Sequence, residues 1–384
     1  MKALAILIAI TPAVARAEPL RLRGDAYMFS TSASSVGLVD LTAGGAINDW
    51  LRADAVVWMG GGISDHDADV LIIDAHARSP SGHGEATLGR FVLTVGALRP
   101  LHLDGADVRT YLPHRFVVEA FGGAPVVPSF GPRSWDWLAG ARVGRRIGDW
   151  GSAGVAYLEE RDHGELSTQE LGFDAGGAID KRTDASAKLA IDLISTAIAE
   201  AQLVGTRRFG AVRVDAYAIH RSPSHLLPAT SLFSVLGDVP SERGGARMSW
   251  RAAPRLDLDA DLGARRIGDE VGADLTARAT LRLDDRGKGA LGLELRREGA
   301  APGWTGVRGT ARVPIDDALT ASTELELVRP DSDARGAWWP WAIGALSWKQ
   351  GAWDAGVAIE ASASPEHRYR VDGLARVGHT WEAP

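Results

Sequence analysis

The sequence contains no cysteine. That excludes a disulfide framework, a thiolate metal site and a lipid-modified cysteine anchor, and it suits a chain that crosses an oxidising compartment unfolded. Beyond the first 17 residues there is no run of about 18 apolar residues, so no transmembrane helix is available. The net charge of −7 comes without any basic stripe, which argues against a nucleic-acid partner. The ten histidines form no H-E-x-x-H and no tight pair, and Gly-x-Ser-x-Gly is absent. The chain is therefore expected to be no enzyme and to carry no metal and no cofactor. Repeats with a period of roughly 20–50 residues, the mark of solenoids and propellers, are also missing.

What the sequence has is alternation. Leu256, Leu258, Ala260, Leu262 and Ala264 interleave with Asp257, Asp259, Asp261, Gly263 and Arg265. After Ile267-Gly268-Asp269-Glu270 the pattern resumes from Ala273 to Leu283, and after Asp284-Asp285-Arg286-Gly287 it resumes again at Leu291, Leu293 and Leu295. A period of two means strands with one apolar and one polar face, and short Gly/Asp-rich turns mean antiparallel hairpins. The strands run about nine to twelve residues, the length that crosses a bilayer at a tilt, where soluble strands are usually about half that. The expected fold is all-β, a single transmembrane antiparallel up-and-down barrel.

The first 17 residues read as an export signal. Lys2 supplies the positive start, Ala3 to Ile10 an apolar run, and Ala15-Arg16-Ala17 a cleavage site. Residues 1–17 are thus assigned as signal peptide and 18–384 as barrel. Removing 17 of 384 residues leaves 367, which at about 17–20 residues per strand and turn accommodates about 18–22 strands.

Along the chain, the pattern predicts strands from Leu20 to Phe29, from Trp50 to Trp58 and from Glu85 to Ala97, with Ser30 to Asn48 as a loop. Phe121–Ser134 holds three prolines and is expected to make no regular ladder. In Ser222–Ser241 alternation fails, and a short helix is the simplest reading. Both segments are candidate plugs or constrictions. Asp65, His66, Asp67 and Asp69 could offer oxygen ligands to a cation, but an acidic loop exposed to water is the favoured reading.

The polar face carries the functional expectation. Arg243, Arg247 and Arg251 share one face of their strand; so do Asp257, Asp259 and Asp261, then Arg278 and Arg282, then Glu324 and Glu326. Charges facing lipid would cost about 2–4 kcal/mol each near the midplane, so these ten residues are expected to line the lumen. There they would pair with one another or border a wet channel.

Tryptophans cluster near strand ends, at Trp50, Trp58, Trp135, Trp137, Trp150, Trp304, Trp338, Trp339, Trp341, Trp348, Trp353 and Trp381, the positions of aromatic girdles at two membrane interfaces. The closing strand carries Arg376, Gly378 and Trp381. In these features the chain resembles bacterial outer-membrane β-barrel proteins of the porin type, although it continues past the terminal aromatic to Glu382-Ala383-Pro384. The resemblance implies residence in the outer membrane of a Gram-negative bacterium and a porin-like passive channel for small polar solutes. The partners it implies are outer-membrane lipid and the barrel-insertion machinery. The alternative is a structural sleeve around a periplasmic or extracellular partner, or, further off, an outer-membrane enzyme.

Overall fold

The structure is a computed structural model, and it describes residues 20–382 except 32–33, 63–65, 127–135, 223–239, 301–302, 333–336 and 365–368. The expected signal peptide and most of both candidate plugs lie outside the described residues.

Alternation does what the sequence promises. Every strand pairs antiparallel with the next, and the first pairs with the last, so 22 strands close into one barrel. The first strands are β1 (Arg21–Ser30), β2 (Ser35–Asn48), β3 (Leu51–Gly61), β4 (His66–Arg78), β5 (Gly84–Leu93) and β6 (Leu101–Leu112). A 3-10 turn at Pro113–Arg115 leads to β7 (Phe116–Pro125), β8 (Trp137–Ile147), β9 (Gly151–Asp162) and β10 (Glu165–Asp180). Then come β11 (Thr183–Asp192), β12 (Ala197–Phe209), β13 (Val212–Arg221), β14 (Ser241–Ala253), β15 (Leu256–Ile267), β16 (Glu270–Arg282), β17 (Ala290–Glu298), β18 (Trp304–Pro314) and β19 (Leu319–Pro330). The wall ends with β20 (Trp339–Gln350), β21 (Trp353–Ser362) and β22 (Arg370–Glu382). Strands of nine to 16 residues suffice to span a bilayer, and the longest stand proud of it.

Three sequence expectations need correction. Ser30–Asn48 is not a loop: Ser35–Asn48 is the 14-residue strand β2, laddered on both sides. Its small Gly, Ala and Ser residues look loop-like, but the two neighbouring strands satisfy its backbone, and that outweighs weak local propensity. The Pro-rich segment from Phe121 is likewise strand as far as Pro125, paired with β6 and, through Gly123, with β8. The strand expected to reach Ala97 stops at Leu93.

The two ends differ. At the end where β1 starts and β22 finishes, every connection spans two to seven residues; at the opposite end 11 residues separate β7 from β8 and 19 separate β13 from β14. Short turns on one side and longer loops on the other are the pattern of outer-membrane barrels, with short turns periplasmic. Six exposed or half-exposed tryptophans ring the short-turn end: Trp50, Trp150, Trp250, Trp348, Trp353 and Trp381. Trp58 and Trp341 take no part in a girdle. Trp341 lies opposite Glu326 in register and donates to Glu360 Oε1 at 2.7 Å.

Closure is reinforced by charge. Arg23 on β1 meets Asp25 at 2.6 Å and Asp354 on β21 at 2.8 Å, while Arg376 on β22 meets the same two carboxylates at 2.7 and 3.0 Å.

Candidate functional site: the charged wall and an inward loop

Leu262, Leu275, Leu293 and Leu325 are exposed on one face of the wall. The opposite face of β13–β19 carries Arg and acids in near-continuous contact. Tyr217 donates to Asp261 at 2.6 Å, and Arg247 reaches Asp261 at 2.9 Å. Arg243 bridges Asp261 and Asp274, and Arg265 bridges Asp274 and Glu298. Arg278 and Arg296 grip the buried Glu294, and Arg296 also lies 3.8 Å from Glu326. Several of these contacts leap a whole strand, as from β14 to β16 or β17 to β19. Side chains converge in this way only on the concave side of a curved sheet, so this is the lumen face.

The ten residues nominated from sequence all lie on this face of β14, β15, β16 and β19. Arg251 and Arg282 share Asp257, Asp259 accepts from Ser249 at 2.7 Å, and Glu324 pairs with Arg308. Ion pairing compensates these charges, though buried Arg243 Nε makes no hydrogen bond, and their outer surfaces still face the bore.

A different arrangement occupies β5–β9. On the long-loop half the lumen face is apolar, with Phe91, Leu93, Leu101, Leu103, Phe121, Leu138 and Leu158 buried together, while the short-turn half of the same face keeps charges such as Asp107 and the Arg109–Glu119 pair. What buries the apolar cluster is the connection 94–100, which turns inward instead of crowning the rim. Val95 and Leu98 join the cluster, and Leu98 N–H donates to Val95 O at 3.0 Å. Arg99 ion-pairs with Glu170 of β10, which is fully buried, and the Arg99 amide donates to the same carboxylate at 3.3 Å.

Two glycines make room. Gly96 has φ +56, and a Cβ there would strike the Asp174 carboxylate and come within 3.0 Å of Arg142 Nε. A Cβ on Gly172 would press on the Leu98 amide at 3.3 Å. Arg142 and Asp174 sit mid-strand on β8 and β10 and pair at 2.6 Å, so the loop tip reaches about halfway down the wall. Sequence reasoning missed this element. The available signal was the failure of alternation through Phe91-Val92-Leu93-Thr94-Val95-Gly96-Ala97-Leu98.

The acidic segment named from sequence resolves into local caps. Asp67 and Asp69 accept from the backbone amides of Ala68 and Val70, each at 2.8 Å; Asp65 lies outside the described residues. At the long-loop rim, carboxylate and imidazole atoms of Asp136, Asp162 and His163 come within 4.8 Å of one another. His163 N–H donates to Asp136 at 3.0 Å, so that cluster has an internal reason to exist. Two turn carboxylates are held below their usual pKa: Asp284 by the Gly289 and Lys288 amides, and Asp331 by the Arg297 guanidinium.

No protein-family model matches the chain, and no curated protein does. Solved structures do. The P pilus usher PapC translocation pore superposes with a TM-score of 0.58 over 94% of this chain and 99% of that one, at 10% identity. The siderophore receptor PirA from Pseudomonas aeruginosa gives 0.60 over 96% and 82%, at 8% identity. The ferric enterobactin receptor PfeA from Pseudomonas aeruginosa gives 0.62 over 96% and 81%, at 9% identity. The fold is that of an outer-membrane β-barrel. At such identities the likeness extends to the fold alone. An outer-membrane barrel of 22 strands, at about 4.8 Å per strand and a tilt near 40°, is roughly 40–45 Å across between facing backbones. Residues 94–100 narrow it from the long-loop rim.

Proposed function

We propose that the chain is a passive channel in the outer membrane of a Gram-negative bacterium, exported by its N-terminal signal and conducting small polar solutes. One observation carries this reading: an ion-paired, hydrophilic face runs along the inside of β13–β19 and across the β21–β22–β1 closure, opposite an exposed apolar face. Such a wall suits water and ions, because its charges are already compensated and can exchange partners with a passing solute at little cost. The inward loop serves as a fixed constriction on one side. No catalytic role, cofactor or nucleic-acid partner is assigned. The partners expected are outer-membrane lipid and the insertion machinery.

A second reading, a sleeve around another polypeptide, draws on the width. Barrels of about 16–18 strands leave an aqueous channel, whereas transporters of about 22 strands hold a plug. Planar-bilayer recording separates the two. Steady ohmic steps whose ion selectivity shifts when Arg243, Arg247 and Arg251 are neutralised support the channel. Silence from a folded, heat-modifiable barrel sinks it in favour of the sleeve.

A further inference from the structure

The wall is not evenly sealed. β4 has 13 residues, yet only Ile73–Arg78 pair with β5, against Arg90 down to Glu85. Its long-loop half, His66–Ile72, pairs with β3 alone, and its register there slips at Leu71. An open strand edge leaves amides and carbonyls without a ladder partner, which folded proteins must satisfy or protect. Here side chains do it. Asp67 and Asp69 take the Ala68 and Val70 amides. Arg90 donates to Val70 O at 2.6 Å and to Asp69 at 3.2 Å, and is itself clamped by Asp104 at 2.6 and 2.8 Å. His102 Nε2 lies 2.8 Å from Leu71 O, reaching from β6 past β5.

The cause lies next door. Gly89, at φ +125, sits so close to Ile73 and Asp74 that a Cβ would overlap their backbone. Beyond this bend β5 and β6 carry the inward loop into the lumen, and β4 does not follow. The inner side of the resulting seam is apolar, and its outer side is apolar around the polar Arg90, Asp104 and His102, which by register share the face of Leu88 and Val92. Outside it Leu71, Ile73, Leu88 and Val92 are exposed; inside lies the cluster around Leu93 and Leu101.

We propose that the long-loop half of the β4–β5 junction is a lateral portal through the barrel wall, latched by Arg90 and His102, through which an acyl-chain amphiphile passes between the lumen and the membrane. The proposal rests on the reading of the barrel as an open conduit. Hydrogen bonds from two side chains replace a ladder of backbone bonds, so the seam opens by rotamer changes where a fully laddered junction would have to unzip. The path joins lipid to the one apolar sector of the lumen described above, so it favours an acyl chain over an ion.

The chain has no native thiol, so engineered cysteine pairs are unambiguous. In the full-length protein reconstituted in nanodiscs, a diazirine-bearing palmitate in the bilayer is photoactivated and adducts are mapped by mass spectrometry. Adducts are expected on Phe91, Leu93 and Leu101, which line the inner side of the seam beneath the inward loop. They should fall about tenfold when Leu71→Cys/Val92→Cys is bridged by a short bifunctional thiol reagent, and return on cleavage of the bridge. Bridging Ala55→Cys/Ile73→Cys across the intact β3–β4 ladder should leave them unchanged. Arg90→Ala should raise them about tenfold, the shift expected when charge-assisted hydrogen bonds no longer hold the closed state. If lumen adducts are absent, or persist undiminished behind the bridge, the portal is refuted; should Arg90→Ala fail to assemble, the cysteine pairs decide alone. Ohmic conductance of the same bridged protein reports on the channel separately, and silence of the unmodified barrel refutes that reading instead.

Discussion

The wall of β13–β19 and the sector of β5–β9 obey opposite rules within one barrel. On the first, polar side chains face the lumen, and their charges pair across and between strands while remaining partly wet. On the second, the long-loop half of the lumen face is apolar, and a seven-residue connection folds in to cover it. The charged wall is what alternation produces when both faces have a solvent, lipid outside and water inside. The apolar sector is a small protein core inside a pore, and it exists only because Gly96 and Gly172 let the loop lie close. A membrane barrel can thus hold a conventional packed core, provided that some of its own chain supplies the second layer.

The comparison breaks most sharply at Glu170. Glu170→Ala strands Arg99 in a buried site and should cost about 3–5 kcal/mol; denaturant unfolding of the barrel in detergent measures it, and a cost near zero would mean the loop is not anchored there. Next comes face polarity on the charged wall. Leu262→Arg, mid-strand on β15, turns a charge toward lipid, costs about 2–4 kcal/mol near the midplane and should block assembly, as read by heat-modifiable gel mobility. Asp259→Arg should assemble and alter conductance; if the two behave alike, the inside and outside assignment is wrong.

A smaller effect is expected from Glu324→Ala. Its partner Arg308 keeps access to lumen water, so the stability loss should be about 1 kcal/mol or less, with a shift in reversal potential as the main readout. A loss as large as that of Glu170→Ala would erase the distinction between the two regions. Smallest is Asp284, in the exposed turn after β16. Its carboxyl is depressed in the folded state, so the stability it adds is present above its unfolded pKa and fades as pH falls through the folded value. Asp284→Asn should therefore lower stability slightly at neutral pH, leave it unchanged below the folded pKa, and so flatten the acid limb of the stability curve.

The alternation from Leu256 to Leu295 was sufficient to give strand type, hairpin order and the faces of Asp257, Asp259 and Asp261. Side-chain period is a local property of extended backbone, so nothing distant was needed. β2 was illegible because its Gly, Ala and Ser residues have no strand preference of their own; pairing on both edges decided it.

The chain alone therefore determined an antiparallel closed wall with a charged inner face, because a two-residue period and membrane-length strands leave few other ways to hide backbone and charge. Tertiary structure alone decided that β1 meets β22 after 20 intervening strands, which charges pair, that residues 94–100 turn inward, and that β4 parts from β5. Each of these depends on which distant side chains curvature brings together: Arg99 to Glu170, Arg90 to Val70, Arg376 to Asp25. Sequence spacing carries no record of such meetings, since contacts across a barrel are fixed by closure and not by neighbours along the chain.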